Sequence, residues 1–155
     1  MSKNERRSSK AGFLIFFFCA PLLTEAAYIS EIAWMGSAGS ANHEWIELHN
    51  DHSAPRSIDG WTLSDGANLS VELSGTIPAN RHVVLERTSD ESAPGGAFLV
   101  YTGALVNGGA TLRLLDENGA VVDQVAGGTD WSNVGGDNTT KETAQYSAEG
   151  WVTAP

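Results

Sequence analysis

Two nearby stretches of the chain alternate large apolar and polar side chains. They are EWIELHN at residues 44–50 and IDGWTLSD at residues 58–65. Successive side chains of a β-strand point to opposite faces, so this alternation is typical of strands with one buried face. In the first stretch Ile46 and Leu48 share one face, while Trp45, Glu47 and His49 share the other. The stretches therefore predict two strands of a sheet that packs on a core.

Short alternating runs continue along the chain, and no helical pattern of useful length follows residue 26. Strands are predicted at 28–34, 44–50, 60–63, 69–73, 82–87, 98–101, 110–115 and 121–126, with a last short one at 144–146. Turn-forming residues separate the runs, which favours an antiparallel sandwich over a parallel α/β sheet. The predicted core comprises Ile46, Leu48, Trp61, Leu63, Leu73, Val83, Leu85, Leu99, Leu112 and Leu114.

The chain resembles the lamin tail domain family in five segments that occur in the family's order. They are residues 44–50, 58–65, 73–87, 105–125 and 150–155. The resemblance implies an all-β fold, an immunoglobulin-like antiparallel β-sandwich of eight or nine short strands. It also implies a binding or structural role and no catalytic residues. The residues that carry the resemblance, and are expected to have structural roles, are Glu44, Trp45, Ile46, Glu47, Leu48, Asn50, Gly60, Trp61, Leu63, Gly119, Asp123 and Trp151.

The first 26 residues have the pattern of an export signal. A basic start containing Arg6, Arg7 and Lys10 precedes thirteen uncharged residues, 11–23, and small residues flank a cut after Ala26. We expect a signal peptide at 1–26 that forms a helix, followed by a lamin-tail-like domain at 27–155. A retained membrane anchor is the alternative, but a spanning helix needs roughly 20 apolar residues. Family members commonly continue beyond the equivalent of Pro155, so we expect a truncated C-terminus or a further anchor.

Charge and cysteine content restrict the chemistry. The full chain has a net charge of −10, and removal of residues 1–26 leaves five basic and seventeen acidic residues, or 5 minus 17 = −12. The five basic residues are scattered singly, and binding to nucleic acid phosphates requires clustered ones, so direct nucleic-acid binding is disfavoured. The single cysteine, Cys19, lies within the predicted signal peptide. The mature domain therefore has no disulfide and no thiol chemistry.

A polar cluster around the second predicted strand, 44–50, is the candidate zinc site. Glu47 and His49 point the same way in a strand, and imidazole and carboxylate are good zinc ligands. The spacing lacks the His-Glu-x-x-His pattern of metalloproteases, and an ordinary polar strand face has the same composition. The cluster consists of His43, Glu44, Glu47, His49, Asp51 and His52.

A second candidate metal site lies in the glycine-rich segment 127–140, which we expect to be an irregular loop pinned by Trp131. Asp130 and Asp137, with Asn133 and Asn138, offer oxygen ligands for calcium. The same residue types form turns without any ligand, and turn formation is the favoured interpretation. No cofactor is therefore expected.

The dipeptide Asn118-Gly119 predicts a hairpin between the runs 110–115 and 121–126. A two-residue turn would place Asp123 opposite Leu114. A three-residue loop with Gly119 in the left-handed region would place Asp123 opposite Arg113 and Val122 opposite Leu114. The second register pairs two opposite charges with each other and two apolar side chains with each other, and it is the one we expect.

Together these patterns predict an exported, non-catalytic module of a bacterial cell envelope or extracellular space. Its loops or a sheet edge would engage a protein, a cell-wall component or a glycan. No nucleophile elbow or phosphate-binding glycine loop occurs in the sequence. The alternative is a metal-dependent hydrolase, or a nuclease-associated domain, that uses the cluster at residues 43–52.

Overall fold

Residues 27–154, which the computed structural model describes, form twelve short strands and one 3-10 turn. The predicted signal helix at 1–26 lies outside these residues. The strands are β1 Ala27–Ala33, β2 Trp45–Asn50, β3 Arg56–Ser57, β4 Thr62–Ser64, β5 Ser70–Glu72, β6 Thr76–Ile77, β7 Arg81–Arg87, β8 Leu99–Tyr101, β9 Thr111–Leu115, β10 Val121–Ala126, β11 Thr143–Ser147 and β12 Gly150–Ala154. The 3-10 turn spans Thr129–Trp131. No helix within residues 27–154 has the length and apolarity needed to cross a bilayer.

The strands form two main sheets and a small third one. One sheet has six strands in the order β12-β11-β1-β2-β7-β8, and another has four in the order β10-β9-β4-β5. Strands β3 and β6 pair separately. A single core joins the two main sheets, since Ile46 and Leu48 of the first cluster with Leu63, Leu112 and Leu114 of the second. This architecture is all-β and consistent with an immunoglobulin-like sandwich.

Each of the nine predicted strands is present, with bounds that differ by at most two residues. Three further strands, β3, β6 and β12, were not predicted as strands. The first two are only two residues long, too short to show an alternating pattern. The prediction that all strand pairs are antiparallel is wrong at one place, because β7 and β8 run parallel, with Leu85 opposite Leu99. The connection at 88–98 brings the chain back to the same end of the sheet, as a parallel pair requires.

The hairpin between β9 and β10 has the predicted loop but not the predicted register. Asp116 N donates to Ala120 O, and Gly119 has φ of 80°, as expected of a three-residue loop. A bulge then follows between Val121 and Asp123, so Asp123 lies opposite Leu114 and Gln124 opposite Arg113. The charge pair is thus replaced by a bond from Arg113 Nε to Gln124 Oε1 of 3.0 Å. The bulge redirects Asp123, which instead accepts a hydrogen bond from Ile29 N at 2.8 Å.

Eight of the ten predicted core residues are buried, and Val83 and Leu99 are partly buried against the same core. Trp61 is 2% exposed. Its ring packs among the core residues while its Nε1 donates to Glu117 Oε2 at 3.2 Å. The guanidinium of Arg56 lies 5.3 Å from the centre of the Trp61 ring. The ring therefore combines apolar burial with two polar contacts at the core boundary.

Trp131 anchors the irregular segment 127–140. It is fully buried, stacks on Trp34 with ring centroids 6.1 Å apart, and donates from Nε1 to Val106 O at 2.9 Å. A Cβ on Gly127 would lie 2.5 Å from Cε3 of Trp131. Only glycine therefore fits at position 127 beside the ring. The prediction of an irregular loop pinned by this tryptophan is confirmed.

Candidate functional site: an aromatic row across the six-stranded sheet

Five neighbouring strands of the six-stranded sheet each contribute one ring to a continuous row, called here the aromatic row. His49 and His82 stack with centroids 3.9 Å apart. Tyr28 meets His49 edge-on at 5.2 Å and Tyr146 at 5.9 Å, and Tyr146 is 5.5 Å from Trp151. The row therefore crosses the sheet from β7 to β12.

Strand register explains this alignment. Tyr28 lies opposite His49, His49 opposite His82, and Tyr146 opposite Trp151. Directly paired residues project from the same side of a sheet, with Cβ atoms about 4.5–5.5 Å apart. Ile46 and Leu48 of β2 point into the core, so His49 points to the opposite side. His82, His49 and Tyr28 accordingly lie on the outer face. Tyr146 shares the side of buried Ala144, and Trp151 packs against the core, so this end of the row lies at the junction of the two main sheets.

A bulge in β1 adjusts the outer face beside the row. The β1–β2 register shifts between Ile29 and Glu31, which leaves Ser30 as the additional residue. Ser30 is 4% exposed, and its Oγ donates to Glu47 Oε1 at 2.6 Å. Glu31, which follows the bulge, receives hydrogen bonds from Thr143 and Gln145 of β11. The bulge thus connects β1 to polar groups on both neighbouring strands.

Ser30, Glu47 and His82 are close together but are not arranged as a catalytic triad. Glu47 Oε1 is 2.7 Å from His82 Nδ1, and Ser30 Oγ is 3.5 Å from that same nitrogen. In a triad the acid and the nucleophile contact different nitrogens of the histidine ring. Here a single oxygen of Glu47 contacts both the Ser30 hydroxyl and the His82 imidazole. The geometry fixes the side chains and does not activate the serine.

His49 is fixed within the row. Its Nδ1 lies 2.8 Å from the hydroxyl of Tyr28. Burial lowers the pKa of His49 from its ordinary value, and the adjacent His82 lowers it further. Burial thus disfavours the charged form of this ring.

One end of the row opens into a surface cavity of about 450 Å³, called here the aromatic groove. Tyr28, Tyr146 and Trp151 supply its rings, and Asp51 and Asp123 supply two carboxylates. Burial raises the pKa of Tyr28, and the charges of Asp51, Glu47 and Asp123 raise it further. The three carboxylates therefore all act on the hydroxyl of Tyr28. Ile29, Gln124 and Val125 complete the lining.

Asp123 joins the two main sheets at this groove. Its Oδ2 accepts the hydrogen bond from Ile29 N of β1, and its Oδ1 accepts from Gln124 N at 2.8 Å. β1 and β11 are paired at Glu31 and Ile32. At Ile29, where β1 is no longer paired with β11, the Asp123 carboxylate takes the place of a strand partner and accepts the backbone hydrogen bond. The residue is therefore structural and also contributes charge to the groove.

Two other signature residues hold connections in place. Asn50 is 1% exposed, and its Nδ2 donates to Ala54 O, Ile77 O and Pro78 O at 2.9–3.1 Å. Its Oδ1 accepts from His52 N. A single amide thus fixes both the turn after β2 and the approach to β7.

Glu44 is a buried carboxylate at the start of β2. It pairs with Arg87 Nη1 at 2.9 Å and accepts from Leu105 N at 2.7 Å. Burial raises the pKa of Glu44, and the bonds from Leu105 and Arg87 oppose that rise. The carboxylate thereby fixes the loop that contains Leu105 against the six-stranded sheet.

The remaining signature residues lie in the core or in turns. Trp45 is partly buried against the core, Leu63 is fully buried, and Gly60 has φ of 75° directly before Trp61. Trp151 lies in the aromatic groove.

The candidate metal ligands are dispersed. His43 contacts Ser37 Oγ, His49 contacts Tyr28, and His52 accepts from Ala54 N through Nδ1. Asp130 lies in the 3-10 turn with φ of 51°. No group of three or more His, Cys, Asp or Glu side chains within residues 27–154 is placed to hold a metal ion.

Asp137 forms the kind of turn that its sequence context favours. Its Oδ1 accepts from Thr139 N at 2.6 Å and Thr140 N at 3.1 Å. These backbone bonds, with Thr140 the stronger cause, lower the pKa of Asp137. The arrangement is an Asx-type turn, in which the carboxylate binds its own backbone.

Sequence reasoning found Glu47, His49 and Trp151 but not Tyr28, His82, Tyr146 or the groove. Tyr28 lies between buried Ala27 and Ile29 on β1, whereas Tyr146 shares the side of buried Ala144 on β11. Their partnership depends on which strands are neighbours. That information was missing, since β1 lies between β2 and β11 although β11 is far away in sequence.

Comparison with known proteins places the chain in a family. The family model of the lamin tail domain matches residues 24–129, which is more than half of the chain. The chain therefore belongs to the lamin tail domain family, whose members are immunoglobulin-like modules. No match was found among curated proteins. Strands β11 and β12, which supply Tyr146 and Trp151, follow the matched residues.

Proposed function

We propose that this protein is an exported, non-catalytic binding module of a bacterial cell envelope or extracellular space. The groove at one end of its aromatic row is the ligand surface. The observation that carries this proposal is the aromatic row, which ends in a groove containing Tyr146, 49% exposed. Aromatic side chains with one accessible face are enriched where proteins bind ligands. The partner is a protein, a cell-wall component or a glycan.

The polar contacts of the row support binding in preference to catalysis. Glu47 is engaged by Ser30 and His82, and His49 by Tyr28. A general base or metal ligand needs an atom directed at substrate or metal. These side chains instead fix one another, which keeps the rings in place and reduces the entropy lost when a ligand binds.

Export is proposed from the basic and apolar pattern of residues 1–26. Strand β1 begins at Ala27, so cleavage after Ala26 would remove no residue of the described fold. We expect the exported protein to begin at Ala27. Intact mass spectrometry of material recovered from outside the cytoplasm checks this, and a membrane-bound product that retains residues 1–26 would contradict it.

The metal-dependent alternative is tested with the double variant Glu47→Ala/His49→Ala. We expect the purified parent to contain no stoichiometric metal, since Glu47 and His49 have protein partners. The variant should differ from the parent only in stability. Elemental analysis of both proteins after dialysis provides the measurement, with Glu72→Ala, an exposed carboxylate on β5, as the matched control. Stoichiometric zinc in the parent and in Glu72→Ala, lost only in the double variant, would establish the hydrolase alternative.

A further inference from the structure

The rings of the aromatic groove form walls at steep angles to one another. Tyr28 and Tyr146 are inclined by 74°, and Tyr146 and Trp151 by 54°. Parallel rings would fill the space between them by stacking on each other. Inclined rings instead present faces and edges around a shared volume, which in this groove is about 450 Å³. That volume suits a small group.

The charge of the groove selects a cation. Asp51 and Asp123 line it, and none of its eight lining residues is Lys, Arg or His. The faces of aromatic rings attract cations through the ring quadrupole, most strongly for Trp and Tyr. The whole chain carries a net charge of −10, which reinforces this preference at long range. An anionic ligand would meet two carboxylates with no compensating base.

The hydrogen bonds already present in the groove distinguish among cations. Both oxygens of Asp123 accept backbone N–H bonds, from Ile29 and Gln124. Asp123 therefore contributes negative potential, with about half of its acceptor sites already used. A primary ammonium or guanidinium group loses water on binding and needs acceptors to replace it. An alkylated ammonium group has few or no N–H donors. It can therefore be bound by the aromatic rings and the negative potential of the carboxylates alone.

We propose that the aromatic groove binds an alkylated ammonium group, with Tyr28, Tyr146 and Trp151 contacting its methyl groups and Asp51 and Asp123 balancing its charge. This assignment rests on the proposed binding function and names the ligand chemistry of the same surface. A phosphate beside the ammonium is disfavoured by the two carboxylates. Choline is therefore a better probe than phosphocholine.

The test is titration of the mature protein, residues 27–155, with choline at constant ionic strength, followed by NMR amide shifts. Shifts should localise to β1, β10 and the β11–β12 hairpin. Tyr146→Ala should weaken binding about fivefold, the factor that corresponds to about 1 kcal/mol. Asp51→Asn should weaken it up to about fivefold. Val100→Ala and Glu72→Gln, exposed changes on β8 and β5, should leave it unchanged.

The neutral isostere 3,3-dimethylbutanol separates charge recognition from simple apolar contact. We expect it to bind at least fivefold more weakly than choline, and phosphocholine to bind more weakly than choline as well. Equal binding of the alcohol and choline, equal binding of ammonium ion and choline, or shifts located elsewhere would overturn the proposal. So would the absence of shifts with choline. If the parent still binds a cell-envelope polymer through Tyr146 and Trp151, the binding function stands and only the ligand class fails.

Discussion

Replacement of Trp131 by Ala is expected to destabilise the domain by about 3–5 kcal/mol, at the upper end of that range. The ring is fully buried, stacks on Trp34, and donates to Val106 O. Alanine leaves a cavity beside Gly127 and an unpaired backbone carbonyl. Since such domains have only about 5–15 kcal/mol of net stability, the variant should be largely unfolded or melt far below the parent. Urea denaturation monitored by circular dichroism measures the loss.

The backbone conformation at Asp130 and Trp131 makes burial of the Trp131 ring more important for the stability of the fold. Asp130 and Trp131 have φ of 51° and 60°, a left-handed conformation that costs non-glycine residues roughly 1–2 kcal/mol each. The buried indole offsets that cost in the folded state. Trp131→Phe, which keeps an apolar ring but loses the bond to Val106, should lose clearly less stability than Trp131→Ala. Equal losses in the two variants would show that ring burial is not what holds this segment.

Trp61→Ala is expected to cost about 3–5 kcal/mol for a related reason. The side chain is 2% exposed and contacts the core between the two main sheets, while Arg56 contacts its face and Glu117 its edge. Those polar contacts contribute little by comparison. An exposed cation–π contact is worth about 0.5–1 kcal/mol and a hydrogen bond about 0.5–1.5 kcal/mol.

Two matched variants separate these contributions. Arg56→Ala and Glu117→Ala each remove one polar contact of Trp61 and leave the ring in place. We expect each to lower the free energy of unfolding by no more than about 1.5 kcal/mol. A Trp61→Ala protein that melts within a few degrees of the parent would refute the core assignment.

The strands and most of the core could be predicted because both depend on local pattern. Alternation in 44–50 and 110–115 determines which side chains are buried, whatever strand lies alongside. The same logic failed at Val122, since a bulge adds a residue without a sequence signal and shifts Asp123 from Arg113 to Leu114. It failed also at β8, where the direction of pairing depends on the path of residues 88–98.

The candidate site was only partly predictable because it depends on strand order. Glu47 and His49 stood out as a polar cluster, but their partners Ser30, His82 and Tyr28 come from β1 and β7. A metal-binding hypothesis arises naturally when such side chains are considered without those partners. The groove needs, in addition, the β11–β12 hairpin beside β1 and the bulge that turns Asp123 toward Ile29.

The central claim is that the aromatic groove binds the partner. Its most direct test is co-sedimentation of the mature protein with choline-derivatised beads and with insoluble peptidoglycan, chitin and cellulose. The parent is compared with Tyr146→Ala/Trp151→Ala and with a matched surface control, Val100→Ala/Val121→Ala. Circular dichroism verifies that all three proteins are folded.

We expect the parent and the control to sediment with at least one of these materials, and the Tyr146/Trp151 variant to bind that material at least tenfold more weakly. Retention of all three proteins to the same extent, or of none of them, would contradict the account.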